Sequence, residues 1–294
     1  MSLKKKSTKW ALFLSASGDP EPRHILDLAF GLQCLEAASI DKANIFLYID
    51  GIDRAIIDTL ISVGSKNKYT IKTSADFFKE LASNTHENLV MFVTGHGSLT
   101  GIDAPTPIKP HALIRAIKGA PNLKQAVIYL GSCYAGIFNY IGAGKKPDKD
   151  KEPDVILIGA TNLNLSLSSE TKETFHVGEI PWLANLFLLY VFKWISAPQD
   201  VDGDGLFTVI DSYKYAGVSA SDSTKKAKAG LFSELIYLHG HWHDAKNVHA
   251  AGPTQQTQLA LDAVLNQYNN KLSLHHVHQE CWILNAIPAQ SIEF

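Results

Sequence analysis

Leu89-Val90-Met91-Phe92-Val93-Thr94-Gly95-His96-Gly97-Ser98 and Ala126-Val127-Ile128-Tyr129-Leu130-Gly131-Ser132-Cys133-Tyr134-Ala135-Gly136 are two apolar runs, each closed by a glycine-bracketed turn that carries a reactive side chain. Apolar runs of this length that stop at glycine read as buried strands of a parallel sheet. In such sheets ligands and catalytic groups gather at the carboxyl ends of the strands. A histidine at one strand tip and a cysteine at another can face each other across a cleft. Imidazole can then take the thiol proton and leave a thiolate, which is the nucleophilic form of cysteine.

Outward from these runs the first half of the chain alternates strand and helix. Strands are expected at 10–15, 44–49, 89–94, 126–130 and 155–159, with a short extended piece at 70–71. Helices are expected at 23–38, where Ile25, Leu28, Ala29, Leu32 and Leu35 share one face, at 52–63, at 75–82 behind Ser74 as N-cap, and at about 111–117. The apolar stretch 180–195 reads as a buried helix. This rhythm predicts an α/β chain with a mostly parallel central sheet and helices on both faces. The polar segment 142–153 (GAGKKPDKDKEP) reads as an exposed loop. From about residue 219 the rhythm is lost: 222–228 reads as a polar connection, 255–268 as a helix and 277–287 as a closing strand. The expected organisation is a domain over 1–218 and a C-terminal extension over 219–294 packed on it.

At 294 residues with 46% hydrophobic and 19% charged side chains, the chain can bury a large core. A formal charge of −2 gives no reason to expect a nucleic acid or an anionic membrane as partner. No apolar run reaches the ~18–20 residues of a membrane span. Lys4-Lys5-Lys6 before Trp10-Ala11-Leu12-Phe13-Leu14 imitates a signal peptide, but the apolar stretch is short, and it reads as a first strand behind a basic tail. Cys34, Cys133 and Cys281 are too few for a disulfide framework. A soluble, cytoplasmic protein is favoured, with export behind a removed signal left open.

VMFVTGHGS and AVIYLGSCYAG resemble the His and Cys motifs of the caspase–legumain clan of cysteine peptidases, and the legumain-like branch is the nearer match. Arg23-His24-Ile25-Leu26-Asp27 is similar to the motif that opens the corresponding legumain helix. Asp50-Gly51 and Ile158-Gly159-Ala160-Thr161-Asn162 followed by Ser166 fit the same pattern, over roughly residues 10–215. The resemblance implies a caspase-like three-layer α/β/α sandwich. It implies Cys133 as nucleophile and His96 as general base or acid, with the backbone N–H groups of Cys133 and Gly97 facing the oxyanion. It further implies a substrate pocket from Arg23, His24, Ser166 and Glu179, in which a guanidinium fork meets an Asn or Asp side chain. The chain departs from legumains at Gly131, where they carry an acidic residue. The expected activity is endopeptidase cleavage after Asn or Asp through a thioester, on a peptide or protein substrate. A ligase or transpeptidase of the same fold, or a non-catalytic calcium-stabilised interaction domain, are the alternatives. The oligomeric state stays open.

A second motif is Asp200-Val201-Asp202-Gly203-Asp204-Gly205-Leu206-Phe207-Thr208-Val209-Ile210-Asp211. Carboxylates at loop positions 1, 3, 5 and 12, with glycine at 6, match an EF-hand-like calcium loop in which Leu206 offers its carbonyl. Helices are expected at 182–195 and 209–216 on either side. Calcium would be structural, and the cysteine chemistry itself needs no cofactor. His239, His241 and His243, and then His276 and His278, alternate as they would on one face of a strand. They match no standard zinc spacing and read as an exposed His-rich surface.

Overall fold

Alternate side chains of the same strands feed two different cores. The computed structural model describes residues 2–5, 7–146, 152–276 and 279–294. The strands are β1 Thr8–Leu14, β2 Ile45–Ile49, β3 Ile71–Lys72, β4 Asn88–Thr94, β5 Gly97–Ser98, β6 Gly101–Ile102, β7 Gln125–Leu130, β8 Asp154–Gly159, β9 Ser168–Phe175, β10 Gly178–Asn185 and β11 Trp282–Leu284. The helices are α1 Pro22–Ala37, α2 Arg54–Ser62, α3 Ser74–Leu81, α4 Pro110–Lys118, α5 Leu186–Ser196, α6 Val209–Ala251, α7 Gln255–His276 and α8 Ala286–Ala289. One central sheet runs in the order β11-β8-β7-β4-β1-β2-β3. Only β11 is antiparallel to its neighbour.

Leu12, Leu47, Phe92, Tyr129 and Ile156 point to one face, where α1, α2 and α5 supply Leu28, Ile57 and Phe192. Phe13, Tyr48, Met91, Ile128 and Leu157 point to the other, where α3 and α4 supply Phe77 and Leu113. A strand apolar at every position therefore requires helices on both sides, since each fully buried Leu or Phe contributes roughly 1.5–3 kcal/mol. The result is a three-layer α/β/α sandwich with a mostly parallel sheet, the fold class the sequence implies. Phe92 and Tyr129 stack at 5.2 Å, and the buried Tyr129 hydroxyl lies 2.6 Å from Ser212 Oγ, which fixes the start of α6 to the sheet.

Several local expectations change. Thr73, not Ser74, caps α3, in a reciprocal capping box with Asp76. The stretch read as one helix over 180–195 is divided. Gly178–Asn185 pairs with Ser168–Phe175 as a hairpin, and the helix begins only where Asn185 caps Leu188. The segment 222–228 is helical, inside α6. Residues 147–151 of the expected loop lie outside the described residues.

The chain divides into two compact units, Met1–Ala220 with Gln279–Phe294, and Ser221–His278. In the first, the C-terminal residues complete the sheet edge: Trp282 pairs with Gly159, whose missing side chain leaves room for the indole. The second unit is made of helix, with Trp242 stacked on Tyr268 and Lys271 paired with Glu234. No helix among the described residues is long and apolar enough to cross a membrane.

Candidate active site

β4 and β7 are neighbours in register, Val93 beside Leu130, and Gly131 N–H donates to the Val93 carbonyl at 2.8 Å. The two loaded turns therefore leave the sheet at the same level. After β4 the chain passes His96 and folds into the β5–β6 hairpin, where Asp103 N–H donates to the His96 carbonyl at 3.0 Å. Gly97 lies against the second turn so closely that a Cβ there would stand 2.3 Å from the Cys133 carbonyl oxygen. The structure thus brings Gly97 and Cys133 into backbone contact.

Cys133 is half-buried, and its Sγ accepts from Ser166 N–H at 3.3 Å. The next residue, Tyr134, is left-handed with φ 55°, a costly conformation for an aromatic residue. It is pinned by its N–H to the Asn164 carbonyl at 2.8 Å. The cysteine turn is therefore locked to the segment after β8, which is where Ser166 enters the site.

His96 is exposed, and its Nε2 lies 2.7 Å from Glu21 Oε1. No hydrogen bond joins His96 to Cys133 among the described residues. Glu21 ends the loop before α1, and its second oxygen accepts from Arg23 Nε at 2.6 Å. The Arg23 guanidinium is the main cause that holds the Glu21 carboxyl down at about 2; partial burial pushes the other way, and the His96 contact adds to the lowering. Arg23 is otherwise bound through Nη1 to Ser168 Oγ at 3.1 Å.

His24 departs from its expected place in a substrate pocket. It is buried beneath His96, the two rings 5.2 Å apart edge to face. Its Nδ1 lies 3.3 Å from Thr94 Oγ1, and the Thr94 hydroxyl donates to Asp27 Oδ2 at 3.0 Å. Asp27, also buried, accepts from the Trp182 indole at 3.0 Å and from Asn185 N–H at 3.1 Å. Asn185 Nδ2 in turn donates to the Gly131 carbonyl at 2.6 Å and to Ser166 Oγ at 3.1 Å. One buried network thus runs from the last residue of β4 to the turn of the cysteine.

Glu179 is not brought to Arg23. It pairs with Lys172 across the hairpin, both side chains more than half exposed. Arg23 binds at Ser168, and Glu179 sits opposite Thr174. That separation is about 20 Å along the strand at ~3.4 Å per residue.

The 200–211 loop brings Asp200, Asp202 and Asp204 together, their ligand atoms within 4.8 Å of one another. Asp200 accepts from Gly203 N–H and Gly205 N–H, both left-handed glycines. Asp204 accepts from Leu206 N–H at 2.8 Å, and Asp202 pairs with Lys214 at 2.8 Å. Asp211 stands apart from the trio. One oxygen accepts from Val201 N–H at 2.8 Å and the other from Thr208 N–H at 2.9 Å and its hydroxyl at 2.8 Å. These hydrogen bonds hold its carboxyl below the ordinary range despite burial. The three exposed carboxylates suit a hard oxygen-seeking cation; Asp211 serves the start of α6.

His239, His241 and His243 lie on helix α6 and His276 ends helix α7, rather than any of them on a strand. His239 and His243, four apart, share a face at 5.2 Å, while the His241 ring lies 4.1 Å from that of Tyr237, tilted by 43°. The His276 side chain and all of His278 lie outside the described residues. Glu21 and Asn185 are the site residues that sequence reasoning missed. Glu21 directly precedes a proline at the start of α1, and only the fold brings His96 to it.

No family model matches the chain, and no curated protein matches it. Among solved structures, it is similar to a secreted C11 cysteine protease from Bacteroides thetaiotaomicron, solved with an irreversible peptide inhibitor. The identity is 10% and the TM-score 0.36, covering 74% of this chain and 59% of that one. The chain thus spans less than two thirds of that protein's length.

Proposed function

We propose that the chain is a cysteine peptidase of the caspase–legumain clan acting on a peptide or protein substrate. The observation that carries this reading is the backbone contact of Gly97 with Cys133, which places the histidine turn against the cysteine turn at the carboxyl ends of two adjacent parallel strands. His96 takes the thiol proton. The Cys133 thiolate attacks the scissile carbonyl, and the N–H groups of Cys133 and Gly97 face the developing oxyanion. The proton then passes from His96 to the leaving amine, giving a thioester. Water activated by the same imidazole hydrolyses it and frees the thiol. Glu21 keeps the ring oriented through Nε2.

Arg23 is the candidate for reading an Asn or Asp side chain, since its planar fork matches an amide or carboxylate oxygen. Glu179 drops out of this pocket on its position, while Ser166 stays through its contact with Cys133. The 200–211 loop is proposed as a structural Ca²⁺ site held by Asp200, Asp202, Asp204 and the Leu206 carbonyl. The test is hydrolysis of fluorogenic peptides carrying Asn, Asp, Arg or Lys before the scissile bond. Cleavage that vanishes in Cys133→Ala and falls steeply in His96→Ala is expected. Activity surviving Cys133→Ala overturns the assignment, and cleavage after Arg or Lys alone overturns the role given to Arg23.

A further inference from the structure

We propose that Glu21, His24 and His96 form a binding site for a zinc-class divalent ion, and that its occupancy withholds His96 from Cys133. The second half of this statement rests on the peptidase reading above. One ligand atom from each of the three residues lies within 4.8 Å of the others. A carboxylate with two imidazoles is a donor set for zinc, cobalt or nickel rather than for calcium or magnesium.

The stronger observation is an orphaned nitrogen. His24 is 5% exposed, yet its Nε2 is buried with no hydrogen-bond partner among the described residues. The Thr94 hydroxyl proton is committed to Asp27, so the Thr94 oxygen accepts from His24 Nδ1. That assigns the ring proton to Nδ1 and leaves a bare lone pair on Nε2. A buried lone pair without a donor is left desolvated and unpaired, a cost that a bound cation would recover. Asp27 Oδ2, 3.7 Å from Nδ1, supplies the carboxylate commonly found behind a metal-binding imidazole.

Two carboxyl groups lie around the histidines, Glu21 beside His96 and Asp27 behind His24, and Arg23 is the cation held against Glu21. Nε2 of His96 and Oε1 of Glu21 are 2.7 Å apart. Tetrahedral ligands around zinc stand about 3.3 Å apart at ~2.0 Å bond lengths. Both side chains are about half exposed and free to open by that much. Metal at Nε2 displaces the His96–Glu21 hydrogen bond: the single ring proton moves to Nδ1, Glu21 turns its carboxylate to the ion, and a fourth position is left for water. With Nε2 on the metal and Nδ1 protonated, the imidazole has no lone pair to take the thiol proton.

The test uses the full-length chain carrying Cys133→Ser, with excess Ca²⁺ to fill the acidic loop, titrated with Co²⁺ and then Zn²⁺. The expected result is tetrahedral Co²⁺ absorption, displaced by Zn²⁺. Affinity should fall ten- to a hundredfold in both Glu21→Gln and His24→Gln. Glu21 is exposed, so its variant remains informative even where the buried His24 variant fails to fold. Titration by both variants with unchanged affinity overturns the site. So does the absence of the Co²⁺ band in the Cys133→Ser chain, which would place any zinc effect on the thiol. A second arm follows peptide hydrolysis by the unmodified chain, where Zn²⁺ should inhibit and a chelator restore. Binding without inhibition overturns the regulatory half. A chain with no hydrolysis under any condition fails the peptidase reading while the binding arm still stands or falls by itself.

Discussion

Glu21 Oε1 stands 2.7 Å from His96 Nε2, so the residue at the N-cap of α1 turns its side chain to His96 rather than to the helix. The Arg23 guanidinium is the larger cause of its depressed carboxyl, at about 2. A carboxylate whose folded value lies below its ordinary 4.5 contributes stability above that value, and loses it as pH falls towards about 2. In chelated buffer, carboxyl NMR should therefore find Glu21 titrating near 2. It should stay low in His96→Ala and move toward the ordinary range in Arg23→Ala. Glu21→Gln should lower kcat/KM by ten- to a hundredfold, as loss of an orienting partner does.

Alkylation should single out one thiol. Burial pushes Cys34 and Cys281 up to about 12, which leaves roughly one thiolate in ten thousand at pH 8. Cys133 is half-buried beside the turn of the histidine. Iodoacetamide at pH 8 should modify one residue per native chain, and none rapidly in Cys133→Ser. Equal labelling of Cys34 by mass spectrometry would contradict this order.

The two apolar runs made the sheet legible because a strand buried on both faces has no polar alternation to hide it. Phe92 and Met91 feed opposite cores, which is why β4 reads as a continuous run. The hairpin β9–β10 was not legible for the converse reason. Ser168–Phe175 is a mostly polar strand, and the apolar content of 180–195 belongs to two elements, divided at Asn185. The partners of the site were hidden by distance. Nothing in Glu21 or Asn185 marks them locally, since each acquires its role only from residues remote in sequence. Glu179 shows the reverse failure. A pocket role suited its charge, but strand register carries it to the other end of the hairpin.

Two glycines at the site should resist substitution for different reasons. A Cβ at Gly97 would stand 2.3 Å from the Cys133 carbonyl oxygen, a backbone atom with no room to move. Gly97→Ala should therefore spread the two turns, costing activity far more than stability. A Cβ at Gly131 would meet Leu188 at 2.6 Å and the Val93 carbonyl at 3.0 Å, inside the core under α5. An acidic side chain at this position has no room against Leu188 and the Val93 carbonyl. Gly131→Asp should lower the unfolding free energy measured by urea titration by about 1–3 kcal/mol or more, through overpacking and a buried carboxylate. Unchanged stability in Gly131→Asp would show that α5 yields more than its packing implies.

The acidic loop separates cation binding from helix capping within one motif. Asp200, Asp202 and Asp204 converge at the surface, and Lys214 offsets only part of their mutual repulsion by pairing with Asp202. Asp211 takes part in no such cluster among the described residues. Its carboxylate accepts from the Thr208 N–H and hydroxyl at the start of α6, and also from Val201 N–H. Adding Ca²⁺ to a hundred times its Kd should stabilise the protein by about 2.7 kcal/mol. At roughly 2–4 °C for each kcal/mol, that is a rise of several degrees in Tm, reversed by EGTA. Asp204→Asn should abolish the rise and leave the calcium-free Tm nearly unchanged. Asp211→Ala should destabilise the protein by ~1–3 kcal/mol with and without calcium alike, through the Thr208 and Val201 donors left unpaired, and so lower the Tm in both conditions. A Tm indifferent to Ca²⁺ and EGTA in the unmodified chain would leave Asp211 as the only structural carboxylate of the loop.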